Sequence, residues 1–156
     1  MFSARKIKSD PAELADQLRG ETMLTPALIR HVIADGCVRL PALTSAGKAT
    51  KIDRLVEVGA WCDAAFALIE IELPAWSVRR LVCEDGEWLC SLTRQPNLPL
   101  ALDDTADARH EILPLAILGA FLEAQQKIRG VRGENAPTVP QVSASSGCAI
   151  CCDNFT

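Results

Sequence analysis

Catalytic signatures are missing from this sequence: it holds no G-x-S-x-G elbow, no glycine-rich phosphate loop and no dinucleotide fingerprint. The nearest approach to a phosphate loop, Ser45-Ala46-Gly47-Lys48, lacks its first glycine and the hydroxyl residue that should follow the lysine. Positive charge is outweighed as well, 16 Lys and Arg against 20 Asp and Glu, for a net charge of −4 and a pI near 5.2. A nucleic-acid surface should be basic, so that class of partner is excluded. Long apolar runs are absent too. The longest, 112–122, is eleven residues closed by Glu111 and Glu123, against the roughly 20 a membrane helix needs. The opening MFSARKIKSD has no apolar signal core, and a cytoplasmic, reducing setting is expected.

Histidine is scarce, with only His31 and His110. His31 falls on the polar side of a short helix and is read as a surface residue. His110-Glu111 begins like the H-E-x-x-H zinc motif, but position 114 is proline, which rules out that hydrolytic chemistry. The helix around Asp63, Glu70 and Glu72 is read as a solvated acidic face, not as an acid–base pair.

What is present is enough apolar sequence, 49% of 156 residues, to build one core. The organising stretch is 76–94, WSVRRLVCEDGEWLCSLTR. Asp85-Gly86 between two apolar, β-branched runs is a strong hairpin signal, because a type I′ turn needs positive φ at both central residues. A two-residue loop sets Glu84 opposite Glu87, Cys83 opposite Trp88, Val82 opposite Leu89 and Leu81 opposite Cys90. One face then carries Leu81, Cys83, Trp88, Cys90 and Leu92 as a core face. The other carries Trp76, Val78, Arg80, Val82, Leu89, Ser91 and Thr93. Cys83 and Cys90 are diagonal neighbours, about 7–8 Å apart, beyond the disulfide span of about 4.4–6.8 Å; both are read as packed thiols.

Around the hairpin the chain reads as helices. Residues 1–8 are basic and expected to fray. Ser9-Asp10-Pro11 opens a helix that Gly20 stops, and Thr25-Pro26 opens a second that ends at Asp35-Gly36. Residues 37–43 (CVRLPAL) suit a brief extended segment limited by Pro41, and 44–48 suit a loop. From Thr50 to Leu73 the stripe Leu55, Cys62, Phe66, Ile69, Leu73 predicts one helix of about six turns. After an irregular connector at 95–100, Asp103-Asp104 is read as the start of a last helix, kinked by Pro114. Its segment 112–122 is apolar nearly all round, which places it centrally in the core or at a subunit contact.

From Gly130 the composition turns to Gly, Pro and Ser without periodicity, read as a disordered linker. The end, CAICCDNFT, sets Cys148, Cys151 and Cys152 in a C-x-x-C-C pattern. A Cys-x-x-Cys pair suits a soft ion such as zinc or copper(I). The stretch CAICCDNF resembles the opening ligand pair of RING-type zinc domains. The resemblance covers this stretch alone, and no ubiquitin-ligase function is carried over from it.

The sequence therefore predicts an α+β domain over 1–129: N-terminal helices, a long helix, a β-hairpin, then a long Pro-kinked helix packed on it. A disordered, Cys-containing tail follows over 130–156. The expected role is a non-catalytic protein-interaction or regulatory module with a protein partner, a second copy of itself included, and neither nucleic acid nor membrane. Dimerisation is expected through the hairpin or the 112–122 helix. Trp76, Arg80 and Trp88 are the candidate contact residues, since arginine beside tryptophan suits a partner's surface. A thiol-based metal or redox role of Cys148, Cys151 and Cys152 is the alternative, as is a tail that is a substrate for modification; no other cofactor is expected. An enzyme assembled from scattered residues ranks behind these.

Overall fold

Turn and cap chemistry fixes most element boundaries in the computed structural model, which describes residues 9–42 and 47–134. The frayed end expected at 1–8, most of the loop expected at 44–48 and the tail cysteines lie outside the described residues. Helix α1 (Pro11–Gly20) starts on its proline, and α2 (Pro26–Gly36) is capped by Thr25, whose Oγ1 accepts from the Leu28 amide at 3.2 Å. Asp10 makes no such cap; its carboxylate lies 3.9 Å from Arg129 instead.

The extended segment expected over 37–43 is a short helix, α3 (Arg39–Ala42). The cause is distant in sequence: the buried Glu72 carboxylate accepts the Val38 and Leu40 amides at 2.9 and 2.6 Å. Those are helix-start donors that would otherwise be orphaned. Glu72 thus leaves the solvated acidic face assigned to it, while Asp63 and Glu70 remain exposed.

The single helix expected over 50–73 is two, α4 (Lys48–Glu57) and α5 (Trp61–Glu72). Gly59 takes φ +73°, its amide donates to Val56 O, and the Ala60 amide donates to Leu55 O at 2.8 Å. This is a Schellman termination, in which a left-handed residue lets the last turn satisfy its own carbonyls. Of the expected stripe, Ile69 and Leu73 are buried, while Leu55, Cys62 and Phe66 are half-buried against the core, and the stripe crosses the break between the two helices.

Strands β1 (Ser77–Glu84), β2 (Glu87–Thr93) and β3 (Ala106–His110) form an antiparallel sheet in that order. The last helix, α6 (Leu113–Glu134), packs on β2 and β3. The sequence reading missed β3 and began the helix too early. Pro114 therefore does not kink a helix; it sits in the first turn of one, where a missing N–H costs nothing. At the other end α6 runs to Glu134, past the linker expected from Gly130.

Leu115 through Leu122 is buried at every position except Gly119, which is half-buried. This segment is central in the core, packed by α1, α5 and the sheet. At Gly119 an added Cβ would meet the Ala108 Cβ at 2.9 Å, so glycine is what lets α6 lie this close to β3. Gln125 ties α6 to α2 by donating its amide to Gly36 O at 2.7 Å. Among the described residues no helix is long and apolar enough to cross a membrane.

Candidate interaction surface

The hairpin turn is the one expected: Asp85 and Gly86 have φ of 53° and 83°, the paired positive values of a type I′ turn. The observed register matches the reading at Glu84↔Glu87, Cys83↔Trp88, Val82↔Leu89 and Leu81↔Cys90. Beyond Arg80 a bulge shifts it, so that Val78 pairs with Leu92 and Ser77 with Thr93. Val78 thereby moves to the opposite face from Arg80, contrary to the uninterrupted alternation expected.

The two sheet faces are chemically distinct. Cys90 and Leu92 belong to the core, and Leu81, Trp88 and Ala108 pack against it. On the other face Leu89 is buried yet lies outside that core, flanked by Val82 and Arg109. This outer face carries Arg80, Glu84 and Arg109. The Glu84 carboxylate sits 4.0 Å from Arg80 and 3.8 Å from Arg109, all three side chains 41–52% exposed. Exposed pairs of this kind contribute little to stability, about 0–1 kcal/mol; they describe a charged surface.

The bulge gives Arg79 a role the sequence did not show. Its Nη1 pairs with the Asp103 carboxylate at 2.7 Å, and its Nη2 donates to Leu98 O at 2.6 Å. The Thr93 hydroxyl donates to the same carboxylate at 2.6 Å and accepts from the Gln95 amide at 2.9 Å. Asp103, only 2% exposed at its side chain, closes the connector against the sheet instead of starting a helix. Arg79, 17% exposed, is thus a cross-brace between the strand and the connector.

Of the three contact residues nominated from sequence, Arg80 is on the outer face and half-exposed. Trp88 is half-buried on the core face opposite His110. Trp76 is buried, with the Arg94 guanidinium 5.3 Å from its ring centroid, so most of its surface is spent within the chain. The structure brings Arg80 together with Glu84 and Arg109 rather than with either tryptophan. Arg109 was missed because its strand was missed.

The thiols divide sharply. Cys90 is buried and Cys83 is exposed, so the packed reading fits the first and not the second. Burial, with the Asp107 carboxylate adding to it, pushes the Cys90 thiol up to about 12 from the usual value near 9. The unfolded thiol therefore ionises first, and stability should fall as pH rises from about 9 to about 12. Below that window the thiol is neutral in both states and contributes no slope. Maleimide labelling of the folded protein should modify Cys83 and spare Cys90 until denaturant is added; equal labelling of both would contradict the packing.

A cavity of about 200 Å³ lies between α1, β3 and α6, with Arg19, Asp107, Arg109, His110 and Glu123 among its lining. Most of its polar groups are engaged elsewhere. Arg19 pairs with Asp16, Asp107 accepts from the Ser91 and Thr105 hydroxyls, and Arg109 faces Glu84. His110 Nδ1 accepts from the Ile112 amide at 3.0 Å, which places the proton of the neutral ring on Nε2. No nucleophile and base face each other there. His31 is on the surface as read, its Nε2 3.3 Å from Asp35. Among the described residues no group of three or more His, Cys, Asp or Glu is placed to hold a metal. Cys148, Cys151 and Cys152 lie outside the described residues. The chain matches no protein-family model, no curated protein and no solved structure.

Proposed function

We propose that this protein is a non-catalytic interaction module whose working surface is the open edge and outer face of β1. One observation carries the reading. The strand β1 is eight residues long, pairs on one side with β2 only, and has a free outer edge among the described residues. The opposite flank of the sheet, at β3, faces α1 across the cavity described above. An unpaired edge exposes a row of peptide donors and acceptors that an extended segment can complete. Along β1 the outer-face side chains are accessible: Arg80 and Glu84 are 41% and 51% exposed, and Val82 between them is half-buried. The apolar α6 segment, the other surface considered for assembly, is consumed by the core.

A Val82→Asp variant places a charge at the middle of this edge, where the wild-type side chain lies outside the core. Affinity capture from native lysate with wild-type and variant chains, both checked for unchanged melting, tests the reading. Species retained by the wild type, further copies of the chain included, should be lost from the variant. Equal recovery would mean that β1 is not the working surface.

The spacing of Cys148, Cys151 and Cys152 supports a second reading, a soft-metal or redox role of the tail. Metal analysis and thiol titration of the full chain against one lacking 147–156 decide it. Equal metal content and equal fast-reacting thiols would retire that role.

A further inference from the structure

We propose that the partner of the β1 edge is a second copy of this chain, joined antiparallel about a two-fold axis through Val82. This rests on the reading of β1 as the working surface and adds the identity of the partner. The hairpin turn determines which peptide groups of β1 are free. The two-residue turn makes Glu84 and Glu87 a hydrogen-bonded pair, and such pairs alternate along an antiparallel ladder. Glu84, Val82 and Arg80 thus spend their peptide groups on β2. Leu81 and Cys83 direct theirs outward.

An added antiparallel strand must therefore pair Leu81 and Cys83 with outward-facing residues. For a second copy of β1 this leaves few registers. Pairing Leu81 with the partner's Leu81 sets Arg80 against the partner's Val82. Pairing Cys83 with the partner's Cys83 sets Val82 against the partner's Glu84. Shifts beyond these oppose Arg80 to the partner's Arg80, or Glu84 to the partner's Glu84. The register that pairs Leu81 with the partner's Cys83 is different. It puts Val82 on the axis against the partner's Val82, and Arg80 against the partner's Glu84, twice by symmetry. The segment Arg80-Leu81-Val82-Cys83-Glu84 is self-complementary about its centre, as an isologous interface requires.

The structure frames this segment and no more. The bulge closes one end just before Arg80, and the turn closes the other just after Glu84. Arg80 and Glu84 are 41% and 51% exposed on the outer face, free to exchange their 4.0 Å contact for one across the axis. A two-fold axis perpendicular to the sheet keeps both α6 helices on one side, so the product is a continuous six-stranded sheet with the outer faces joined.

Sedimentation velocity over a range of concentrations tests the pairing on the full chain, with Arg80→Glu, Glu84→Arg and the double exchange. The wild type is expected to associate into dimers. Each single reversal creates two like-charge pairs and should weaken association by about tenfold or more; the double exchange should restore it. Association unaffected by the single reversals, or a wild type that stays monomeric at millimolar concentration, overturns the proposal. Amide exchange of Leu81 and Cys83 separates the two levels. In a monomeric wild type, fast exchange at both leaves β1 an open edge whose partner is not a second copy. Slow exchange there removes the open edge as well.

Discussion

Replacing Asp103 with alanine is expected to lower the unfolding free energy by about 3–5 kcal/mol, the range for removing one partner of a buried ion pair. Arg79 would keep its charge at 17% exposure with no anion beside it, and Thr93 Oγ1 would lose its acceptor. The double replacement Arg79→Met with Asp103→Leu removes both charges and should cost less than Asp103→Ala alone, because no orphaned charge remains. Urea unfolding monitored by circular dichroism gives both numbers. A loss under about 1 kcal/mol for Asp103→Ala would show that the guanidinium is held by the carbonyls of Leu98, Gln95 and Pro96 instead. The effect should also be local: amides over 95–103 should exchange faster in the variant while those of α6 keep their protection.

Phe121→Ala should cost a comparable amount, about 3–5 kcal/mol, by leaving a cavity in addition to losing apolar burial. Phe121 is the largest fully buried side chain among the described residues. Its ring lies where α6 passes the end of α2, 3.8 Å from where a Cβ on Gly36 would stand. Phe121→Leu keeps most of the volume and should cost markedly less. The denaturation midpoint should fall with little change in slope, since the surface exposed on unfolding hardly changes. A Phe121→Ala variant as stable as wild type would place the core elsewhere than on α6.

Both predictions concern residues whose importance was only partly legible in the sequence. Phe121 could be read as core, because 112–122 is apolar nearly all round and such a helix has to be buried. Asp103 could not. Two acids before an apolar run look like a helix start, and the sequence offers no hint that an arginine twenty-four positions earlier will be turned toward them by a bulge. The same competition hid β3. Ala106, Asp107, Ala108, Arg109 and His110 alternate in the strand manner, but alanine is a strong helix former and the run continues into the apolar segment of α6. Pro114 carried the correct signal, since proline belongs in a first turn; read as a kink, it extended the helix backward over a strand. Gly59 was the parallel case, a helix terminator that the stripe from Leu55 to Leu73 runs across.

For the interaction surface, Arg80 was named from sequence and Arg109 was not. That Arg80 and Glu84 share a face follows from the alternation of side chains along one strand. The presence of Arg109 beside them depends on β3 docking against β2. That the β1 edge is the one left open among the described residues depends on α1 and α6 gathering at the β3 side.

By itself, the sequence determined the local devices: the Asp85-Gly86 turn and the register it dictates, the proline and threonine helix starts, and the apolar segment that had to be central. Each of these is an interaction between residues a few positions apart, so the information is contiguous. Tertiary structure decided what depends on groups brought from afar. Glu72 made a helix of residues that could have been extended, Arg79 and Asp103 fastened the connector, and the docking of β3 chose which edge of the sheet stays free. A buried charge or an unpaired amide is satisfied by whichever partner the packed chain presents, and a linear reading does not contain that choice.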